Sequence, residues 1–462
     1  MIMHFLSKLK TKVKTEATPI QLVVSAYLIL ILLTFFLLNL PIFLKPGAHV
    51  GLLDSFFMSV STISVTGLTT FPLSQVYNHA GIILLEFLFQ IGGFGVTMLA
   101  TVIMILSGRK ISLQQRQLIQ VDMNQPRLSG TVRLSYSVFI LMVLLQLFFG
   151  MLFSIYFTYQ NGISHLKEAI FNGFYISISA VTNAGFDITG NSLAPFRHNY
   201  IFLLTIMFLI MLGGIGFPVL VEFQQWIFYK FHHPQKMHFK FSLFSKLALL
   251  FAIIFFIVGT VLIFLTEFRG QLANESWPGK LMTAMFYSAS TRNAGLQLES
   301  LKSFQTSTLL IFSLLMFIGA SPSSVGGGVR TTTIGILLLY LAAFIRGRRN
   351  VNIFGRRISQ SDIQKAIVVT NLSMLLCMGA VLILSITEHF SLISLIFEVA
   401  AAFGTTGLSM GITAGLSVVG KWVIIVLMFI GRVGMLYMLL LFVSKREQDF
   451  NYEYPTEQVI IG

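Results

Sequence analysis

The sequence predicts an all-α membrane protein that is built from four internal repeats. Its composition gives the first indication, because 55% of the 462 residues are hydrophobic and only 10% are charged, whereas soluble chains carry about 25% charged residues. The second indication is a short glycine-containing pattern that recurs four times at nearly equal intervals. Each copy follows a short apolar segment and precedes a long one, so the repeats organise most of the chain.

Long apolar stretches account for the membrane class. A helix needs about 20 predominantly apolar residues to cross a bilayer, and examples lie at 22–40, 138–156, 200–217, 247–265, 366–386 and 422–443. The first stretch is too long for the core of a signal peptide and lacks a small-residue cleavage pattern. We therefore predict that it is a retained helix.

The basic residues indicate how the chain is oriented. Most of the 31 lysines and arginines lie in the termini and in alternate loops, at 8–14, 109–133, 230–246, 346–365 and 445–446. This asymmetry follows the positive-inside rule and predicts that both termini are cytoplasmic. The formal net charge of +14 is thereby explained by topology, and nucleic-acid binding is not expected.

The recurring pattern ends in Thr-Gly or Ala-Gly followed by Leu or Phe. Its four copies are Ser64-Val65-Thr66-Gly67-Leu68, Thr182-Asn183-Ala184-Gly185-Phe186, Arg292-Asn293-Ala294-Gly295-Leu296 and Gly404-Thr405-Thr406-Gly407-Leu408. The apolar segment before each copy has about a dozen residues and is too short to cross a bilayer, which is typical of a re-entrant helix.

Each repeat is therefore predicted to contain an outer helix (M1), a re-entrant pore loop and an inner helix (M2). This gives eight spans and four pore loops around a pseudo-fourfold central pore. The repeats occupy 19–110, 130–231, 242–346 and 362–444, between a cytoplasmic N-terminal arm at 1–18 and a cytoplasmic tail at 445–462.

Four pore loops that are related by repetition favour an ion pathway. Non-helical backbone at membrane depth is tolerated only where it is buried or lines a wet cavity, and backbone carbonyls there can replace the hydration shell of a cation. Glycine permits the backbone angles that turn successive carbonyls one way. None of the four copies contains an acidic residue, so we predict selection of a monovalent cation by carbonyls. The alternative is that the glycines only assist packing.

These patterns and the segment Gly319-Ala320-Ser321-Pro322-Ser323-Ser324-Val325-Gly326-Gly327-Gly328-Val329-Arg330-Thr331-Thr332-Thr333 resemble the Trk/Ktr/HKT superfamily of potassium transporters. With no helix pair before the first repeat, the chain is most similar to the KtrB-type membrane subunit of bacterial Ktr systems. The family commonly has Lys where this chain has Arg330, a departure that keeps the charge. The resemblance implies a K⁺ filter at Val65, Thr66, Gly67, Asn183, Ala184, Gly185, Asn293, Ala294, Gly295, Thr405, Thr406 and Gly407.

The resemblance also implies partners and a setting. It predicts a homodimer in the cell (plasma) membrane, docked on a separate cytosolic ring that binds adenine nucleotides. K⁺ is the transported ion, Na⁺ is a candidate activator, and no covalently bound cofactor is expected.

The inner helix of the third repeat is predicted to differ from its three counterparts. A small, glycine-rich segment at 319–333 interrupts it, and the freed backbone groups must face protein or water. The resemblance implies that this segment gates the pathway. The predicted gate residues are Gly319, Gly326, Gly327, Gly328, Arg330 and Arg432. Arg432 could hold the loop through its guanidinium donors, or it could extend to the cytoplasmic interface instead.

Other functional classes are less well supported. The chain has no sequence motif of an intramembrane enzyme and no arginine-lined voltage sensor, and a secondary transporter would place its breaks in two related halves. The Gly-rich motifs at 91–95 and 212–216 are interpreted as sites of close helix packing, and a metal site at the histidines of 232–238 is disfavoured. The sequence does not decide the roles of Glu86, Glu222 and Arg292, or whether Arg292 pairs with Glu398.

Overall fold

The structure, a computed structural model, describes residues 18–123, 125, 128–188, 190–232, 239–442, 455 and 457. The predicted N-terminal arm up to residue 17, the histidine-containing segment 233–238 and most of the predicted tail lie outside the described residues. The regular secondary structure of the described part is helical apart from a small antiparallel hairpin of Asn352–Ile353 and Arg356–Arg357. The predicted all-α membrane fold is confirmed.

Each of the four repeats begins with a long outer helix, followed by a shorter pore helix. The outer helices are Pro19–Leu38, Thr131–Asn161, Leu243–Glu267 and Gln360–Thr387. All four are long and apolar enough to cross a membrane. The pore helices are Leu52–Ser64, Leu166–Thr182, Trp277–Ser290 and Leu392–Phe403. They have 12 to 17 residues, which is too short for a full span.

All four inner helices are broken, so the prediction of a break in the third repeat alone is wrong. The halves are His79–Phe94 and Val96–Leu106, Tyr200–Gly214 and Phe217–His232, Thr306–Ile318 and Thr331–Ile345, and Val418–Val433 and Met435–Phe442. In the first, second and fourth repeats the halves bend by 98°, 107° and 96°. Gly95, Gly216 and Gly434 lie at these bends with φ of +89°, +105° and +96°, a conformation that ends a right-handed helix.

Shorter elements connect the repeats and the helices within them. The helix Leu113–Asp122, which begins at a Ser112 capping box, lies between the first two repeats. The hairpin lies between the third and fourth repeats. The remaining short helices are Pro41–Phe43, Leu73–Val76, Ile163–His165, Ala194–Phe196, Leu301–Ser303 and Thr413–Gly415.

In the second, third and fourth repeats, hydrogen bonds join the outer helix to the start of the inner helix. In the third repeat, the buried Glu267 accepts hydrogen bonds from the Gln305 amide at 2.9 Å and the Thr308 hydroxyl at 2.5 Å. In the fourth, Glu388 accepts from the Ser417 amide at 3.1 Å. Asn199 bonds the Tyr156 hydroxyl at 2.6 Å in the second. The two glutamates thereby satisfy amides that a helix N-terminus leaves free.

Burial is concentrated around the pore helices. Phe57, Met58, Phe286 and Phe397 on these helices are fully buried, whereas the outer helices expose large apolar side chains such as Ile386. A soluble protein rarely exposes extended apolar surface, so this distribution suits helices that face lipid. The protein therefore holds its pore helices at the centre, where their C-terminal ends position the predicted filter.

Candidate ion pathway

The four predicted filter glycines form a closed ring. A Cβ atom added to Gly67 would lie 2.6 Å from the Ala184 carbonyl oxygen, and one added to Gly185 would lie 2.6 Å from that of Ala294. In the same way, Gly295 abuts the Thr406 carbonyl and Gly407 abuts the Thr66 carbonyl. Each glycine therefore contacts the residue before the glycine of the next repeat, in the order one, two, three, four and back to one.

The backbone at the ring requires glycine. The φ angles of Gly67, Gly185, Gly295 and Gly407 are +89°, +67°, +68° and +85°. L-residues with a side chain adopt such angles at a cost, and the neighbouring carbonyls leave no space for a Cβ atom. Two independent constraints, conformation and close approach, therefore explain why the pattern contains glycine in each repeat.

Three filter segments share one backbone conformation, and the third does not. Val65, Asn183 and Thr405, two residues before the ring glycine, have φ of +56°, +51° and +49°, whereas Asn293 is not left-handed. In the three like segments the next amide bonds a carbonyl five residues back, at 2.8 to 2.9 Å. The corresponding Ala294 amide instead bonds Ser290, four residues back, at 2.8 Å.

Side chains of the pore helices support the filter from behind. The Tyr175 hydroxyl donates to the Phe186 carbonyl at 2.9 Å, and the Ser290 hydroxyl donates to the Leu296 carbonyl at 2.5 Å. The Tyr287 hydroxyl accepts from the amides of Leu298 and Glu299, both at 3.1 Å. Buried, satisfied bonds of this kind hold a backbone rigidly. The supporting role of these tyrosines could not be predicted from the sequence, because a hydroxyl on an apolar helix face forms no recognisable pattern.

Arg292 and Glu398 do not pair with each other. The Arg292 guanidinium donates to the Ala252 carbonyl at 2.7 Å, behind the third filter segment. Glu398 accepts from the hydroxyls of Ser409, at 2.9 Å, and Thr413. Both groups are buried, and each forms its hydrogen bonds within its own repeat.

The interrupting segment of the third repeat is shorter than predicted, because Thr331 already begins the next helix half. We call residues 319–330 the gate loop, after the role that the resemblance implies. It contacts every other repeat: a Cβ on Gly93 would lie 3.2 Å from the Val325 side chain, the Ser321 amide bonds the Gly214 carbonyl at 3.0 Å, and a Cβ on Gly327 would lie 2.5 Å from the Thr405 hydroxyl. A segment that touches all the repeats must lie near their common axis, next to the filter.

Arg432 holds the gate loop from the fourth repeat. Its guanidinium donates to the carbonyls of Val325 in the loop and of Gly92 and Gly93, the latter at 2.9 Å. The side chain therefore joins the loop to the first repeat's inner helix and does not extend to the interface. Arg330, the other predicted gate arginine, donates to the Gly326 carbonyl within the loop itself.

A polar cluster near the gate loop includes the end of the linker helix Leu113–Asp122. The Asp122 carboxylate accepts from the Thr97 amide at 3.1 Å, the Thr97 hydroxyl at 2.6 Å and the Tyr27 hydroxyl at 3.2 Å. It thereby caps the helix half that follows the bend at Gly95. Burial raises the pKa of the Asp122 carboxyl, while the bonds from Thr97 oppose that rise. Sequence reasoning missed Asp122, which lies in a predicted loop.

A cavity of about 310 Å³ adjoins this cluster. It is lined by Tyr27, Asp122, Ser324, Arg330 and Arg432, and its lining includes no filter residue. The gate loop therefore separates this cavity from the filter ring.

The Gly-rich motifs at 91–95 and 212–216 have two uses. Gly92, Gly213 and the matching Gly431 pack directly on the carbonyls of Ile63, Val181 and Phe403 at the ends of the pore helices, in line with the predicted close packing. The last glycine of each motif, however, is the bend of the inner helix.

The two undecided glutamates have different surroundings. Glu222 accepts the Ser242 amide at 3.0 Å, beside the start of the third outer helix, which is a structural contact. Glu86 lies on the first inner helix, and its buried Oε1 has no hydrogen-bond partner among the described residues.

Comparison with known proteins identifies the class. Residues 4–454 match the TrkH family model, described as a cation transport protein. This match covers nearly the whole chain, so the chain belongs to the TrkH family of cation transport proteins and is a transporter, not an enzyme.

Individual relatives narrow the class to the Ktr type. The chain is 45% identical to the Ktr system potassium uptake protein D of Bacillus subtilis, over 96% of this chain and 97% of that protein. It is 33% identical to the potassium/sodium uptake protein NtpJ of Enterococcus hirae, over 98% and 99%. The crystal structure of the potassium transporter TrkH from Vibrio parahaemolyticus matches with a TM-score of 0.70 and 18% identity, over 94% of this chain and 87% of that one. The predicted Trk/Ktr, KtrB-type resemblance is confirmed.

Proposed function

We propose that this protein takes up K⁺ across the plasma membrane through a filter lined by backbone carbonyls from its four repeats. The observation that carries the proposal is the closed ring of Gly67, Gly185, Gly295 and Gly407. Each glycine contacts the carbonyl of the residue that precedes the glycine of the next repeat. Carbonyls can replace the hydration shell of a monovalent cation. The relatives' names, which specify potassium or potassium and sodium uptake, agree with this assignment.

The filter proper comprises each ring glycine and the two residues before it. K⁺ would bind at the carbonyls of Val65, Thr66, Gly67, Asn183, Ala184, Gly185, Asn293, Ala294, Gly295, Thr405, Thr406 and Gly407. Because these residues carry no acidic side chain, affinity would come from carbonyl dipoles, which favour passage over tight retention.

The gate loop would open and close the pathway beside the filter. Its contacts with all the other repeats and its bond to Arg432 support a position that obstructs ion passage in this conformation. Glycines at 319 and 326–328 give the loop conformational freedom, and Arg432 would stabilise the closed position. Opening requires that these bonds break together.

Regulation would come from a partner in the cytosol. The resemblance implies a homodimer on a nucleotide-binding ring, with both termini of this chain cytoplasmic. Arg348, Arg349, Arg356 and Arg357 are exposed on and beside the hairpin between the third and fourth repeats, where they suit an acidic or polar protein surface. An anionic lipid surface would be attracted by the same charges.

Flux measurements in reconstituted vesicles test the transport proposal. With a K⁺ or a Na⁺ gradient imposed separately, the purified chain should pass K⁺ faster than Na⁺. Gly67→Ser should lower that ratio, because a side chain at φ +89° would displace the adjoining carbonyl. Gly379→Ser is the matched control, since nothing lies within 4 Å of a Cβ atom there.

Equal K⁺ and Na⁺ flux through the unaltered chain would refute the K⁺ filter. K⁺ flux measured with and without Na⁺ on each side then tests the candidate role of Na⁺ as an activator.

The regulatory proposal requires the partner. Reversing the charge of Arg348, Arg349, Arg356 and Arg357 to Glu should abolish nucleotide-dependent flux in vesicles that contain both proteins. Basal flux and the K⁺/Na⁺ ratio should stay unchanged, because these side chains are exposed and distant in sequence from the filter. A response of the purified chain to ATP without another protein would contradict the assignment of the sensor to a partner.

A further inference from the structure

The side chain of Asn293 links two parts of the pathway. Its Oδ1 atom accepts a hydrogen bond from the Gly327 amide of the gate loop at 3.2 Å and another from the Thr405 hydroxyl of the fourth filter segment at 3.3 Å. Asn293 is 1% exposed and Thr405 is fully buried. One carboxamide oxygen therefore binds the gate loop and the filter at the same time.

No free space separates the loop from these two filter side chains. A Cβ atom added to Gly326 would lie 2.5 Å from Asn293 Nδ2, and one added to Gly327 would lie 2.5 Å from the Thr405 hydroxyl oxygen. Packed groups cannot shift independently at such distances. Movement of the loop must change the surroundings of both filter residues.

The corresponding asparagine of the second repeat has no such connection. Asn183 Nδ2 donates to the Ile210 carbonyl of its own repeat at 3.3 Å, and its Oδ1 has no hydrogen-bond partner among the described residues. Asn183 is left-handed, whereas Asn293 is not. The connection thus belongs to the one filter segment with a different backbone.

We propose that Asn293 is a positioning residue that couples the gate loop to the filter, so that discrimination between K⁺ and Na⁺ depends on the position of the loop. This inference rests on the proposed function. While the loop is in place, its Gly327 amide and the Thr405 hydroxyl together fix the Asn293 carboxamide and, through it, the third filter segment. When the loop withdraws, the oxygen loses one donor inside a buried site, and the segment relaxes to recover a partner.

Gly326→Ala and Gly327→Ala each press a methyl group against a filter side chain, Asn293 or Thr405, without changing a filter residue. Gly326→Ala presses a methyl group against Asn293, so the K⁺/Na⁺ flux ratio of the full-length chain in vesicles should fall roughly fivefold or more, the lower end of typical coupling between sites. The same methyl also presses Ala320 within the loop. The readout is therefore the ratio and not the flux, which a local change in the loop would alter by itself.

A double-mutant cycle distinguishes coupling from two separate effects. In an Asn293→Ala background the pressed side chain is missing, so adding Gly326→Ala should change the ratio by less than about twofold, the usual limit of additivity. A second cycle pairs Gly327→Ala with Thr405→Ala and should behave in the same way. In cycles of Gly326→Ala with Asn183→Ala, the effects should instead add.

Additive effects in both the Asn293 and Thr405 cycles, or an unchanged ratio for Gly326→Ala, would overturn the inference. If Asn293→Ala fails to insert, the Thr405 cycle decides the question. An unaltered chain with no preference for K⁺ would refute the proposed function, and this inference with it, whereas a K⁺-selective chain with additive cycles would refute the coupling alone.

Discussion

The inner helix is interrupted in all four repeats, but the interruption in the third repeat differs from that in the other three. In the first, second and fourth repeats a single glycine bends the inner helix by 98°, 107° or 96°. In the third repeat the gate loop, residues 319–330, occupies the same place between the helix halves. A break of one or two residues leaves no backbone free to cross the axis, whereas a longer insertion does.

The filter segments also divide into three that are alike and one, in the third repeat, that differs. Val65, Asn183 and Thr405 are left-handed, and Asn293 is not. The exceptional filter segment and the exceptional inner helix belong to one repeat, and they contact each other through Asn293 and Gly327. We infer that all four repeats contribute to the ring of carbonyls, while the departure of the third repeat adds control of the pathway.

Shortening the gate loop should give the largest change in ion flux, because it makes the inner helix of the third repeat resemble the others. Deletion of 326–328 removes the contacts with Asn293 and Thr405. Flux in vesicles should then rise, roughly tenfold or more if the closed loop is favoured by about 1.4 kcal/mol. Lower flux at a normal amount of inserted protein would assign the loop a purely structural role.

Loss of Arg432 should produce a smaller change in the same direction. Arg432→Ala removes the bonds to Val325, Gly92 and Gly93 but leaves the other loop contacts, so a rise in flux of several-fold is expected, or about 1 kcal/mol. Arg432→Lys should be intermediate, because an ammonium group cannot reproduce the planar fork of donors. Vesicle flux at matched protein content measures both variants.

Arg330→Ala is the control for Arg432. Its guanidinium bonds Gly326 within the same loop, so its removal breaks no bond between the loop and another repeat. A rise in flux as large as that of Arg432→Ala would show that internal order of the loop, and not its attachment to the first and fourth repeats, keeps the pathway closed.

The repeat architecture could be predicted because it depends on local patterns. Apolar length, charge asymmetry and a recurring Gly pattern are properties of contiguous residues, and they identified the outer helices, the pore helices and the ring glycines. Conformation and close packing both require glycine at Gly67 and its counterparts, so the residue type itself carried the information.

Other features depend on contacts between distant residues and could not be predicted. The bends at Gly95 and Gly216 were hidden inside continuous apolar runs, since an isolated glycine in a helix also serves close packing, as Gly92 does. The role of Asp122 depends on Thr97 and Tyr27, which approach it only in the fold. The side chain of Asn293 likewise contacts Gly327 and Thr405 only after the repeats converge.

Ion pairs between neighbouring repeats also allow the third repeat to be compared with the others. Removing them should give the smallest effects. Lys421 and Asp54 join the fourth and first repeats through one ion pair of 2.7 Å, with side chains 14% and 30% exposed. Arg197 joins the second and third repeats by pairing with Glu275 at 3.2 Å and Glu299 at 3.1 Å.

Lys421→Ala should lower the free energy of unfolding by about 1 kcal/mol or less, the usual range for a partly exposed pair, and should leave the K⁺/Na⁺ ratio unchanged. Arg197→Ala should cost more, because Glu299, with a side chain 8% exposed, would lose its ion-pair partner in a nearly buried site, where Gln271 at 2.8 Å is its remaining side-chain partner among the described residues. Thermal unfolding of the purified variants compares the two costs, and vesicle flux tests the ratio. If Arg197→Ala instead lowered the ratio without lowering the unfolding temperature, the contact between the second and third repeats would help to shape the filter, and the departure of the third repeat would extend beyond its gate loop and filter segment.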